Sequence, residues 1–172
     1  MKIICIEEHA VDPGLAKATL PIMQREAPYM SLSTTSDVAS VLRNPRRPTF
    51  VELKEATALG LDLGQGRIRD MNEQRIEMQV MSYSLAAQLV PRDEAVSLAA
   101  AANDRFAGAI AAHPDRLSGF AALPWQDPEV AVAELTRAIN ELDLKGALIT
   151  GRPGITFLEI PSTNPFSPGS AS

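Results

Sequence analysis

The 172-residue chain has few of the residues that most often build reactive centres: one cysteine, two histidines, one tryptophan and two tyrosines. A lone Cys5 cannot form an internal disulfide, which excludes the stapled scaffolds of small secreted proteins and predicts a reducing, cytoplasmic setting. The amino terminus lacks the long apolar run of a signal peptide or membrane helix, so no membrane partner is expected. Positive charge is also short, with 16 Lys and Arg against 21 Asp and Glu for a net charge of −5. Without a basic stripe, nucleic acid is not expected as a partner, because phosphate binding needs concentrated Lys and Arg. Aromatics make up 5% of the residues, and the abundant alanine suits helices packed closely on a sheet better than a β-sandwich.

What is present is a repeating pattern. Short apolar runs at Lys2–Ile6, Ile76–Ser82, Leu117–Leu123 and Gly146–Thr150 are strand candidates. Between the second and third, Val96, Ala99, Ala100, Asn103, Phe106, Ala107 and Ile110 recur at helical spacing behind Pro91. Between the third and fourth, Asp127 can cap and Pro128 can start a helix of about four turns with an apolar stripe of Val132, Leu135, Ile139 and Leu142. Strand, helix, strand, helix, strand predicts right-handed crossovers in a parallel sheet, so the class is α/β. The first connection, about seventy residues long, must hold structure of its own. It is expected to contain a short helical segment around Val38–Leu42 headed by Ser36. A helix from Phe50 to about Leu59 would follow the capping box Thr49-Phe50-Val51-Glu52, and a short helix would cover Ile68–Gln74. Pro13, Pro21 and Pro28 are expected to break up the part before these. Gly64-Gln65-Gly66 looks like part of a nucleotide loop, but no third glycine follows and no strand precedes it.

Chemistry, if any, begins at Ile6-Glu7-Glu8-His9. Strand alternation predicts Glu7 and His9 on one face and Glu8 on the other. A carboxylate beside an imidazole suits Zn²⁺ or Mn²⁺, yet E-x-H by itself equally describes the solvated polar end of a strand. Ser82 and Ser84 at the end of the second strand, and Pro124 and Trp125 after the third, could line a pocket on the same side or serve packing. Cys5 shares the parity of Glu7, which predicts a buried small hydrophobe beneath it. His113 follows a crossover helix and precedes a strand, so it falls at the opposite face, roughly 15 Å from His9 along a five-residue strand. His113-Pro114-Asp115-Arg116 reads as a helix stop and turn.

Four segments together are more specific. MKIICIEEHA, RIRDMNEQRIEMQVMSYS, LAAAANDRFAGAIAAHPDRLSGFAALPWQDPEVAVAELTRAI and LKGALITGR resemble, in this order, the amidohydrolase superfamily, in its branch of aromatic-acid and aminocarboxymuconate-semialdehyde decarboxylases. The resemblance spans residues 1–155 or so. It implies a TIM-like (β/α)₈ barrel with a divalent metal, Zn²⁺ or Mn²⁺, at the carboxyl ends of the strands, and Glu7 and His9 as the first two ligands. It implies a small aromatic or unsaturated, muconate-like carboxylic acid as substrate, held on the ion and protonated before C–C cleavage releases CO₂. A metal-dependent hydrolase of the same superfamily is the alternative, and a non-catalytic half-barrel that binds a partner is a third reading. Arg75 stands where the family usually has Gly between helix and strand, at a cost of a fraction to about 1 kcal/mol if φ is positive.

The departures from the family shape the expectation. Members run to about twice this length and take a further His and Asp ligand, and a catalytic His, from later strands. The expected architecture is therefore the amino-terminal half of a barrel over residues 1–151, with four parallel strands, outer helices and a long helical insertion after the first strand. Residues 152–172 would form an irregular Pro/Ser-rich tail. One choice of codons for Glu159 to Ser172, read one frame on, encodes D-P-E-Y-E-P-I-L-A-G-L-G-E, which looks like the family's helical continuation. A frameshift that truncated a barrel enzyme is the favoured explanation, and the nucleotide sequence of the gene decides it. No catalytic residue is assigned, and this chain is expected to be catalytically silent and to self-associate through its open sheet edges.

Overall fold

The computed structural model describes residues 2–26, 32–33, 50–51, 54–84 and 87–149. Strand β1 (Ile4–Ala10) leads into helix α1 (Pro13–Glu26), followed by two short strands, β2 (Leu32–Ser33) and β3 (Phe50–Val51). Helices α2 (Lys54–Leu61) and α3 (Gln65–Glu73) precede β4 (Met78–Tyr83), a 3₁₀ turn (Ala87–Leu89) and helix α4 (Arg92–Ala112). Strand β5 (Leu117–Gly119) and helix α5 (Pro128–Asn140) complete the order. The main sheet is parallel, β1-β4-β5, and β2 pairs with β3 in a separate parallel pair. The class is α/β, with strands and helices alternating as expected.

Four expectations are corrected. The fourth strand, Gly146–Thr150, is replaced by a single parallel bridge between Ala121 and Ala147. Gly146 enters that bridge at φ 142° and Asp143 precedes it at φ 55°, so the segment arrives by a turn rather than along an extended ladder. Thr150 lies outside the described residues. The helix expected from Phe50 starts at Lys54 instead, because Phe50 and Val51 pair with Leu32 and Ser33; Thr49 also lies outside the described residues. The prolines at 13 and 21 do not break α1: Pro13 occupies its first position, where no amide donor is needed, and the Asp12 carboxylate accepts from Leu15 N at 2.9 Å. Finally, the apolar stripe of α5 is displaced by one residue, whereas α4 keeps Ala99, Asn103, Phe106 and Ile110 buried as expected and turns Ala95 and Ala102 inward in place of Val96. Helix α4 buries Ala95, Ala99, Ala102, Asn103, Phe106 and Ile110, and α5 buries Ala131, Glu134 and Ala138. Val96, Val132 and Ile139 are exposed, because alanine lets the helices approach closely. The Val38–Leu42 segment and the tail after Ile149 lie outside the described residues.

Side chains rather than regular pairing hold the layers in place. Buried Asn103 on α4 accepts from Ala122 N at 2.8 Å and donates to Ala122 O at 2.9 Å and to Glu134 at 2.7 Å. Tyr83 from β4 donates to Ala102 O at 2.9 Å and packs on Phe106 with ring centroids 4.9 Å apart. Burial, and then the charge of Asp12, pushes the Tyr83 hydroxyl above its ordinary range, so it stays a neutral donor. Asp127 caps α5 as expected, accepting from Val130 N and pairing with Arg92. His113 ends α4, and its carbonyl accepts from Arg116 and Leu117 where β5 begins, at the end of the sheet opposite His9.

Two backbone positions yield predictions. Helix α3 ends in a Schellman arrangement, with Arg75 N on Asn72 O and Ile76 N on Met71 O, and Arg75 sits at φ 58°. Arg75→Gly is expected to stabilise the protein by about 0.5–1 kcal/mol in urea unfolding. A Cβ on Gly119 would lie 2.5 Å from the Phe106 ring and 3.1 Å from Met81 O. Gly119→Ala should therefore cost about 1–3 kcal/mol, with part of the loss recovered by adding Phe106→Leu.

Candidate metal centre

The candidate ligands lie at the carboxyl end of β1, where the ladder with β4 is irregular. Ile4 and Cys5 pair with Met78 and Gln79; beyond a bulge, Glu8, His9 and Ala10 pair with Met81, Ser82 and Tyr83. Ile6 and Glu7 therefore stand together opposite Val80, two residues against one. Glu7 takes φ 64°, a left-handed conformation uncommon for a residue with a side chain. The simple alternation that joined Cys5, Glu7 and His9 is broken here. Cys5 is in register with Gln79, whose side chain reaches α3, and shares that helix-covered face rather than the face of His9. This corrects the expectation that Cys5 lies beneath Glu7.

Glu7 and His9 are exposed, and neither makes a side-chain hydrogen bond among the described residues. Glu8 is half-buried, and its charge acts on the buried Arg67. Sequence reasoning does not single out Arg67: the expected helix begins one residue later, at Ile68, and Arg67 enters only as the first residue of the segment RIRDMNEQRIEMQVMSYS. Its guanidinium donates to His9 O (3.0 Å), Leu59 O (2.7 Å), Asp62 O (2.9 Å) and the Gln79 side chain (3.1 Å). Burial pushes its pKa down, while Glu8, Asp62 and Asp70 act in the opposite sense. The glycines ahead of it serve this corner: Asp62 accepts from Gly64 N at 2.7 Å, and a Cβ on Gly66 would overlap the same carboxylate. A carboxylate at this helix start is unsuited to the phosphate of a nucleotide.

The pocket candidates fall at the same end of the sheet. Ser82 is 2% exposed and in register with His9, and its Oγ has no hydrogen-bond partner among the described residues. Ser84 donates its amide to Ala10 O at 2.9 Å and ties the two strand ends together. Trp125 and Pro124 are buried in the segment between β5 and α5. The adjacent Gln126 fastens that segment to the 3₁₀ turn by donating to Ala87 O and Val90 O, and its Oε1 is buried without a partner among the described residues. Among the described residues no group of three or more His, Cys, Asp and Glu side chains is arranged to hold an ion. A carboxylate and an imidazole, both solvent-accessible, are nonetheless suitable donors for Mn²⁺, with the rest of the coordination sphere left to water or to other residues.

An amidohydrolase family model matches residues 58–160, more than half of the chain. The chain belongs to the amidohydrolase family. This amidohydrolase is 43% identical over 99 residues to a gamma-resorcylate decarboxylase of Rhodococcus jostii, covering 56% of the chain and 30% of that relative. It superimposes on the crystal structure of 2,6-dihydroxybenzoate decarboxylase from Rhizobium with a TM-score of 0.70 and 31% identity, over 96% of this chain and 46% of the other. For 5-carboxyvanillate decarboxylase from Novosphingobium aromaticivorans, crystallised with manganese, the TM-score is 0.73 and the identity 28%, over 95% and 46%. The chain thus spans less than half the length of these relatives, and its α/β fold is consistent with a TIM-barrel amidohydrolase. Among the described residues, no helix is long and apolar enough to cross a membrane.

A buried hydroxyl without a partner is destabilising. Ser82→Ala is expected to leave stability unchanged or raise it by up to about 1 kcal/mol in urea unfolding, whereas a loss beyond that would reveal a partner for the hydroxyl.

Proposed function

We propose that this chain carries the first metal-binding strand of a manganese-dependent decarboxylase acting on a hydroxylated aromatic carboxylic acid. The observation that carries the reading is the Glu7-Glu8-His9 segment at the carboxyl end of β1, in a chain whose relatives are decarboxylases of this class. Glu7 and His9 would supply two ligands to the ion, a carboxylate oxygen and an imidazole nitrogen, while Glu8 serves Arg67 on the other face. When bound, Mn²⁺ offers positive charge for the substrate's carboxylate and adjacent oxygen. The chain's own contribution is then positional. Ser82 Oγ, buried and in register with His9, can donate to or accept from a substrate oxygen, and Trp125 and Pro124 close the pocket against water.

The proposed architecture is the amino-terminal half of a (β/α)₈ barrel over residues 1–151. In that frame the described residues supply two ligands and no assigned proton donor for the ring, so the chain is proposed to be catalytically silent. Among the described residues the parallel sheet runs as far as β5 and the Ala147 bridge, and Ile4 and Ile6 of β1 are exposed. Pairing between copies would bury such surface at about 25 cal/mol per Å².

Purified protein should bind Mn²⁺ weakly, as read by electron paramagnetic resonance, and His9→Ala should abolish that binding. It should release no CO₂ from 2,6-dihydroxybenzoate with Mn²⁺ added, and light scattering should show species larger than a monomer. Undiminished Mn²⁺ binding by His9→Ala would remove the ligand assignment. Metal-dependent CO₂ release would remove the claim of silence, and a stable monomer the claim of association.

A further inference from the structure

Arg67 is 4% exposed, and its four hydrogen bonds all go to uncharged oxygens. Burying a guanidinium against carbonyls is costly, and one that gathers oxygens from four segments constrains where those segments lie. The oxygen it takes from β1 belongs to His9. At the same strand end, Ala10 O accepts from Ser84 N at 2.9 Å, while Val11 N donates to Gly60 O at 2.8 Å. Successive peptide groups along a strand point to opposite sides. Ala10 is therefore held from the β4 side, and His9 and Val11 from the other side, by the corner between α2 and α3. The guanidinium is a rigid planar fork, so its hold on His9 O orients the peptide and with it the bond from which the imidazole projects. That hold comes two residues after Glu7, where the bulge and the left-handed φ free the strand from its ladder.

We propose that Arg67 is a positioning residue for His9: by clamping the His9 carbonyl against the α2–α3 corner, it fixes the direction in which the imidazole is presented at the carboxyl end of β1. This rests on the reading of His9 as a metal ligand. Arg67 does not touch the ion. It acts through the main chain, and Gln79 and the carbonyls of Leu59 and Asp62 hold the guanidinium in turn.

The test compares wild-type protein with Arg67→Met, Arg67→Lys and Ile110→Ala, the last as a control destabilised in the last turn of α4, at the end of the sheet opposite His9. Amide hydrogen exchange and Mn²⁺ titration by electron paramagnetic resonance are read on each. In Arg67→Met, exchange at Ala10 and Val11 should accelerate by about tenfold or more, with Ala121 and Ala131 unchanged relative to wild type. Mn²⁺ affinity should fall about 10–100-fold. Arg67→Lys, which keeps the charge and some donors, should recover part of both losses, and it carries the same readouts if the Met variant does not fold. Ile110→Ala should lose stability but keep wild-type Mn²⁺ affinity. Unchanged exchange at Ala10 and Val11 overturns the clamp. Acceleration spread evenly over all segments, or local acceleration with undiminished Mn²⁺ affinity, overturns the positioning role. If wild-type protein binds no Mn²⁺ through His9, the metal reading fails while the exchange data still decide whether the clamp exists.

Discussion

A buried guanidinium holds the part of the molecule on which the candidate centre depends. Removing a charge from water costs several kcal/mol, and hydrogen bonds to charged groups return roughly 1.5–3 kcal/mol each. Arg67 is therefore tolerable only while its oxygens stay in place. They come from β1, from α2, from the turn before α3 and from Gln79 on β4, so the four segments are locked to one another. Arg116 has the corresponding role at the amino end of the sheet. It donates to Glu77 O, Ile76 O and the Asn72 side chain, and its own carbonyl accepts from Gln79 N.

The other half of the sheet is anchored by a polar network between helices. Asn103 takes both peptide groups of Ala122, and Glu134 links it to Arg137, which reaches Asp104 at 2.7 Å. The Glu134 carboxylate and then Asp104 push the Arg137 pKa upward, so the guanidinium remains charged. This network fixes the backbone just before Pro124 and Trp125, and the Gln126 contacts fix it just after them. The two sides of the proposed pocket thus rest on separate supports: Arg67 behind His9, and Asn103 with Gln126 around Trp125.

One strained backbone position coincides with an expected ligand, Glu7. Of the three described residues other than glycine at positive φ, Arg75 and Asp143 lie in turns, but Glu7 lies inside a strand. A left-handed residue within a strand persists only when its surroundings impose it. Here the register on either side of the bulge and the Arg67 hydrogen bond to His9 O beyond it supply that constraint. The same bulge explains why face assignments from alternation hold for Glu8 and His9 and fail for Cys5.

Local sequence determined the elements whose signals are short-range. Asp127 and Pro128 start α5 because an N-cap acceptor and a fixed φ act within one turn. The α/β order, and the resemblance of four segments to one family, were equally readable along the chain. Tertiary structure alone decided the rest. Pairing with Leu32 and Ser33 drew Phe50 and Val51 out of their expected helix, and close approach turned α5 onto Ala131 and Ala138 instead of its larger apolar residues. Which carbonyls Arg67 would meet depends on residues up to 58 positions away, and no periodicity records such a contact. Short-range propensity is written residue by residue, whereas register, bulges and buried charge are settled only when distant segments compete for the same space and the same hydrogen bonds.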